Sequence, residues 1–439
     1  MNSTRAHSPL SDWLALARLS NLPTVVSDSL VGVALAVGLG WSPDAMSVTD
    51  AIETTFAMCC FYVAGMVLNG IVDREIDARE RPTRPIASGR IALPWAWTAF
   101  VVLLYIGFVS RPSWSSAPIP AAVAGVIGVW LLARASAMRS HMLHRLAKGW
   151  CAVALIAALW WAIDVMVRDP FDLSGIKENT THTIRSGHIA LNAPVLLIAI
   201  SLVAYNLLHT RTAWAIAFLA ICRASVPLAV AAAILVPGGK SGLLESADVL
   251  IVVLPLALHT IMLSIVARRE MSSEGATYRC ARCGYVLVAA APTTCSECGC
   301  DLNEVPALGD RPLAPRTAWK ISLISCIALV PLVALFVPLS LRATYGFSIV
   351  SPGGVLSQAA LNYPLFVILA VWFALAASRG LRAALTHPSR RPAGIAALIA
   401  AFALLDACIA ALLLSPLIAV GCVALWFVAR WSQRRVAGS

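Results

Sequence analysis

The chain has 439 residues, of which 59% are hydrophobic and 13% charged, with a formal net charge of +11 and a mean hydropathy of +0.80. This balance excludes a soluble globular protein, because too little polar surface remains to cover a core. In such a chain, excess positive charge marks orientation in a membrane, so nucleic acid is not expected as a partner.

A membrane span needs roughly 20 mostly apolar residues, and about twelve segments meet that requirement. They fall at 22–40, 50–71, 93–110, 117–133, 149–166, 189–204, 213–235, 247–267, 321–341, 357–378, 394–413 and 415–429. The last two also suit one helix broken at Ser415-Pro416. Residues 1–20 are polar and mixed, so no cleavable signal peptide is expected. The fold class expected is an all-α polytopic membrane protein. With twelve spans, the arginine-rich loops at 74–90, 134–148, 379–391 and 430–435 share one side with the N-terminus. The positive-inside rule makes that side cytoplasmic. The 167–188 loop is a weak exception, since its Arg168, Lys177 and Arg185 are balanced by Asp169, Asp172 and Glu178.

The stretch NGIVDREIDARERPTRPIASGRI at 69–91 carries the most chemical information. Asn69, Asp73 and Asp77 recur every fourth residue, which puts an amide and two carboxylates on one helix face at the end of a span. Such an oxygen-rich set suits a hard cation such as Mg²⁺. Arg79, Arg81 and Arg84 follow, and guanidinium forks suit phosphate oxygens. Pro82 and Pro85 end the helix. Carboxylates, a metal and arginines together suit a diphosphate. The same residues also suit a solvated helix end, where Glu75 and Arg79 form an ordinary i,i+4 pair and the charge marks topology alone.

Further along, Tyr205 and Asn206 stand at a span end, where tyrosine commonly anchors the interface. His209 follows one turn later, as a phosphate contact or a solvated loop residue. Asp28, Arg223 and Asp406 lie within apolar runs, where charge points to a polar interaction inside the bundle. For Asp406 a helix–helix contact suffices, and His259 reads as a satisfied bundle histidine.

The loop after 268 reads YRCARCGYVLVAAAPTTCSECGCDL. Cys280/Cys283 and Cys295/Cys298 form two Cys-x-x-Cys pairs, each followed by glycine. Four thiolates at this spacing suit a tetrahedral structural Zn²⁺, a staple for a segment of roughly 30 residues without a core. Cys300 is a substitute ligand for Cys298, and a redox pair is the other reading.

Four stretches make the sequence resemble the UbiA family of membrane-embedded prenyltransferases. They are ARLSNLPTVVSDSLVG, with Arg18, Asn21, Pro23 and Asp28; the Asn69-x₃-Asp73-x₃-Asp77 loop with its RPTRPIASG tail; YNLLHTRTAWAIAFLAICRA at 205–224; and HTIMLSIVARRE at 259–270. The likeness runs over roughly residues 15–275. Gly70 departs from the family pattern, in which a first aspartate is common there. The second carboxylate motif is reduced to Glu270, with Ala267 where an aspartate is expected.

The resemblance implies a bundle of about nine core spans plus extra helices, with a cytoplasmic zinc ribbon. Residues 1–267 would form the bundle with the first motif, with 117–166 as an inserted hairpin. Residues 268–316 would form the loop bearing the ribbon at 278–302, and 317–439 the closing helices. It implies transfer of a polyprenyl group from a polyprenyl diphosphate to an aromatic or other lipophilic acceptor, at the cytoplasmic side of a bacterial inner membrane. Asn69, Asp73, Asp77 and Glu270 would hold Mg²⁺, and Arg18, Arg81, Arg84 and Arg268 would bind the diphosphate. Asp28, Tyr205, Asn206, His209 and Arg223 would line the site. The reduced second motif also suits an inactive relative whose ribbon recruits a partner. Twelve spans also suit a transporter, although no internal repeat is visible.

Overall fold

A computed structural model of the chain describes residues 8–110, 178–209, 212, 214–237, 247–271, 277–279, 286–288, 355–386, 390–413 and 415–436. The expected spans at 117–133, 149–166 and 321–341, and the four cysteines of the two pairs, lie outside the described residues.

The helices are α1 (Pro9–Leu16), α2 (Leu22–Gly38), α3 (Ala45–Val72), α4 (Arg74–Glu80), α5 (Leu93–Val109), α6 (Glu178–Leu208), α7 (Ala215–Leu235), α8 (Ala247–Met271), α9 (Val355–Thr386), α10 (Arg391–Leu412) and α11 (Pro416–Val436). Among the described residues, seven helical segments are long and apolar enough to cross a bilayer, and Leu93–Val109 and Val252–Ala267 are shorter apolar helices. The protein is thus a multi-pass, all-α membrane protein, as its composition requires. One boundary differs from expectation: the polar residues 178–188 extend α6 instead of forming loop. Residues 391–436 form two helices, α10 and α11, matching the two separate spans expected there, and they separate before Pro416. A proline is tolerated at the first helical turn and disrupts a helix interior, so Pro416 starts a helix where it would otherwise break one.

Local chemistry sets several helix starts. Asp44 caps α3, with its carboxylate accepting from the backbone of Met46 and Ser47, and Ser47 completes a capping box. Pro23, Pro94 and Pro392 stand in the first turns of α2, α5 and α10.

α2 and α10 form the centre. α2 packs against α3, α7, α10 and α11, and α10 packs against α2, α8, α9 and α11. Residues 400–412 of α10 are buried on every side, as expected for a helix apolar all round. Small residues allow the closest approaches. A Cβ on Gly32 would stand 2.5 Å from the Pro227 carbonyl oxygen of α7, and one on Gly394 2.5 Å from the Ala384 backbone nitrogen of α9. By contrast, Ile368 and Val371 of α9 and Leu417 and Val420 of α11 are exposed, as on a lipid-facing surface.

The charged ends gather. Ser432 Oγ of α11 donates to the Ser20 carbonyl and Gln433 Nε2 to Asn21 Oδ1, which brings the Arg430–Arg435 tail to the start of α2. At the other end, Leu413 after α10 packs beside Gly38 at the end of α2. Because α2 and α10 run in the same direction, the Arg390-Arg391 end joins the same charged face.

Candidate functional site

The site forms where α3 ends. α3 stops at Val72, and Asp73 takes φ −80° and ψ 0°, so the 69–77 segment is not one unbroken helix as its spacing predicts. The register survives the break. Backbone N–H groups of Asp73, Asp77 and Arg81 donate to the carbonyls of Asn69, Asp73 and Asp77, at 2.9, 2.7 and 2.8 Å. The fourfold step therefore persists through Arg81, where Pro82 ends it, since the residue before a proline is biased out of the helical region.

Each carboxylate meets a cation. Asp73 Oδ2 accepts from Asn69 Nδ2 at 2.8 Å, while Asp73 Oδ1 lies 2.8 Å from His209 Nε2. Asp77 Oδ2 accepts from Arg84 Nη1 at 2.9 Å. Both aspartates are buried. His209 is not a solvated loop residue, since its side chain is largely buried. Its Nδ1 faces the Asn206 carbonyl at 3.0 Å and its ring stacks on Tyr205 at 5.3 Å. An ionised carboxylate and a carbonyl only accept, so this pair of partners favours the protonated ring, in which both nitrogens donate. The hydrogen bond to Asp73 accordingly raises the His209 pKa, against the opposing effect of burial. Burial pushes the Asp77 carboxyl up while Arg84 holds it down. Arg84 is pushed down by burial and by the charges of Arg18 and Arg81, with Asp77 opposing. Three guanidinium groups thus crowd one mouth, an arrangement that favours an anion.

Arg18 has φ +45° and ψ 48°, a left-handed conformation that is unfavourable for a residue with a Cβ. Tyr62 Oη donates to its carbonyl at 3.4 Å. Arg90, outside the expected set, binds the buried Asp12 of α1 at 2.8 Å and the Thr83 carbonyl at 2.7 Å, tying the loop to the N-terminal helix. Its only signal in the sequence was charge.

The other expected residues divide. Asn206 is buried, its Nδ2 bonded to the Leu202 carbonyl and its Oδ1 without a partner. Arg223 Nη2 pairs with Asp28 Oδ2 at 2.8 Å and donates to the Thr24 carbonyl at 3.2 Å, deeper in the bundle. His259 Nε2 donates to the Leu398 carbonyl while its Nδ1 has no partner, so this expected satisfied bundle histidine is only half satisfied. Arg268 and Glu270 belong to α8, but their side chains lie outside the described residues, as do Cys280, Cys283, Cys295 and Cys298. The strands β1 (Thr277–Arg279) and β2 (Val286–Val288) pair antiparallel on either side of the sequence that holds Cys280 and Cys283.

Among the described residues, no three His, Cys, Asp or Glu side chains gather closely enough to enclose a metal ion. The donor set at the mouth still fits Mg²⁺, which is commonly held by one or two carboxylates with substrate phosphates and waters completing its shell.

The family model described as the UbiA prenyltransferase family matches residues 29–167. This is shorter than the 15–275 expected from the motifs. It contains the Asn69–Asp77 loop and leaves 205–224 and 259–270 outside. Protoheme IX farnesyltransferase 2 of Pseudoalteromonas translucida is 29% identical over 117 residues, covering 26% of this chain and 36% of the relative. Digeranylgeranylglyceryl phosphate synthase of Methanocaldococcus jannaschii is 30% identical over 100 residues, covering 23% and 34%. The chain therefore spans about a third of the length of these curated relatives. No solved structure matches.

Proposed function

Because the chain carries a UbiA prenyltransferase family domain, we propose that it transfers a polyprenyl group from a polyprenyl diphosphate to a lipophilic acceptor within the membrane. One observation carries this reading: Asp73 and Asp77, set beside Asn69, share a bundle mouth with Arg18, Arg81 and Arg84. Metal ligands beside guanidinium groups suit a diphosphate leaving group, whose negative charge grows as the allylic C–O bond breaks.

Asn69, Asp73 and Asp77 would hold Mg²⁺, whose charge, when bound, stabilises the departing diphosphate. Arg84 now neutralises Asp77 and His209 neutralises Asp73, so both cations are placed to turn from a carboxylate to a phosphate oxygen. Arg18 and Arg81 would complete the anion pocket, and the apolar bundle would shield an allylic cation from water. We place the mouth on the cytoplasmic side of a bacterial inner membrane, following the concentration of arginine at that end.

The two Cys-x-x-Cys pairs are read as a structural Zn²⁺ ribbon, supported by their spacing and by the β1–β2 hairpin around the first pair. Ligand binding tests the functional reading. A non-hydrolysable polyprenyl thiodiphosphate should raise the melting temperature of the lipid-embedded protein only with Mg²⁺, and should fail to do so in Asp77→Ala. An equal shift without Mg²⁺, or no shift across chain lengths, counts against it.

A further inference from the structure

Below the mouth, three helices bring charge together inside the membrane. Asp28 of α2 is 1% exposed and Asp406 of α10 0% exposed. Arg223 of α7 pairs with Asp28, and its guanidinium carbon lies 3.5 Å from the Phe402 ring centroid. Ser27 Oγ donates to Asp406 Oδ2. Ser27 precedes Asp28 in α2, so this bond brings both carboxyl groups into one buried cluster, close enough for their charges to interact. Each keeps one buried oxygen, Oδ1, without another partner.

One guanidinium cannot neutralise two carboxylates, and an unbalanced charge at this depth is expensive. Two carboxylate oxygens can satisfy each other only when one carries a proton, because an ionised carboxylate has no donor. Like charges this close do not both persist. We propose that Asp28 and Asp406 form an intramembrane proton-binding site, sharing one proton and, with Arg223, making an electroneutral link between α2, α7 and α10.

The occupant is a proton and not a metal cation. Among the described residues, only two carboxylate oxygens of this cluster lack a partner, whereas hard metal ions take six or more oxygen ligands, and a guanidinium already stands beside them. Among the described residues, the surrounding titratable groups supply no second neutraliser. Cys222 of α7, Cys408 of α10 and Cys422 of α11 lie near the carboxyls, and Tyr62 of α3 lies near Arg223. His259 of α8 lies against Phe402 at 4.4 Å, with Nε2 committed to Leu398 and Nδ1 bearing no partner. None of these carries positive charge here except Arg223. The site does not depend on the enzymatic reading, and Asp406 lies outside the residues that match the family.

Infrared spectroscopy of the full chain in lipid nanodiscs tests this, using the deuterium-sensitive carbonyl stretch of a protonated carboxylic acid at neutral pH. The wild type should show a band that the Asp28→Asn/Asp406→Asn double variant lacks. Each single variant should lose it as well, since the remaining carboxyl pairs with Arg223 as a carboxylate. Asparagine has the shape of a protonated aspartate, which favours folding. Arg223→Gln is the converse check: without a counter-ion both carboxyls protonate, and the band should grow about twofold. A wild type indistinguishable from the double variant overturns the proposal, as does a band that persists in Asp406→Asn. A band removed by sodium at constant pH makes the site a metal-cation site and overturns it too.

Discussion

His209 Nε2 stands 2.8 Å from Asp73 Oδ1, joining the end of α6 to the end of α3 across 136 residues of sequence. A proposed metal ligand is thereby held by a cation from another helix. Substituting His209 by alanine should cost about 1.5–3 kcal/mol, the usual worth of a hydrogen bond to a charged group. Chemical denaturation of the metal-free protein in detergent should show that loss.

The same pair sets a pH dependence. The His209 pKa is raised above its ordinary value of 6.5, so the folded state binds the proton more tightly than the unfolded chain does. Its stabilisation is fully present below the unfolded value and is lost as pH rises through the folded value. With a chelator present, the melting temperature of wild type relative to His209→Gln should fall across that window. A difference that stays flat with pH would remove the imidazolium from the account.

Arg84→Ala should leave the Asp77 carboxylate buried without its partner, and so destabilise the metal-free protein by about 1–3 kcal/mol. Arg84→Ala/Asp77→Asn should recover part of that stability and none of the activity. A double-mutant cycle read by thermal melting and by diphosphate release separates the two roles.

Gly394→Ala should destabilise by about 1–3 kcal/mol, because the added Cβ would stand 2.5 Å from Ala384 N and 2.6 Å from the Gly380 carbonyl oxygen. Gly40→Ala is a poor comparator, since Gly40 has φ +83° despite open space around it. Melting temperatures of Gly394→Ala and of a lipid-facing Val420→Ala control provide the check.

For the two cysteine pairs, protein purified with zinc present should carry one zinc per chain. Cys280→Ser/Cys283→Ser should lose it while keeping its membrane helices by circular dichroism. Metal content well below one per wild-type chain would remove the ribbon.

Hydropathy made most of the bundle legible, because a span must be long and apolar whatever it packs against. Asn69, Asp73 and Asp77 were legible through spacing, and their register outlasted a helix break that spacing does not reveal. The partners of charged residues were hidden. Asp406 read as a helix–helix contact and makes one, but its partner Ser27 lies 379 residues away, and no local pattern encodes a tertiary pairing of that range. The contact between His209 and Asp73 was hidden as well, because Asp73 lies 136 residues away in the sequence. Asp12 and Arg90 had no periodic signal, and only their contact gives them a role.

The most direct test of the central claim is diphosphate release from polyprenyl diphosphates by the purified protein in lipid, across several chain lengths and acceptors. The account predicts Mg²⁺-dependent release that falls by at least about 10²-fold in Asp73→Ala, the scale expected when a main stabiliser of transition-state charge is removed. Release from the wild type no greater than from Asp73→Ala would contradict it.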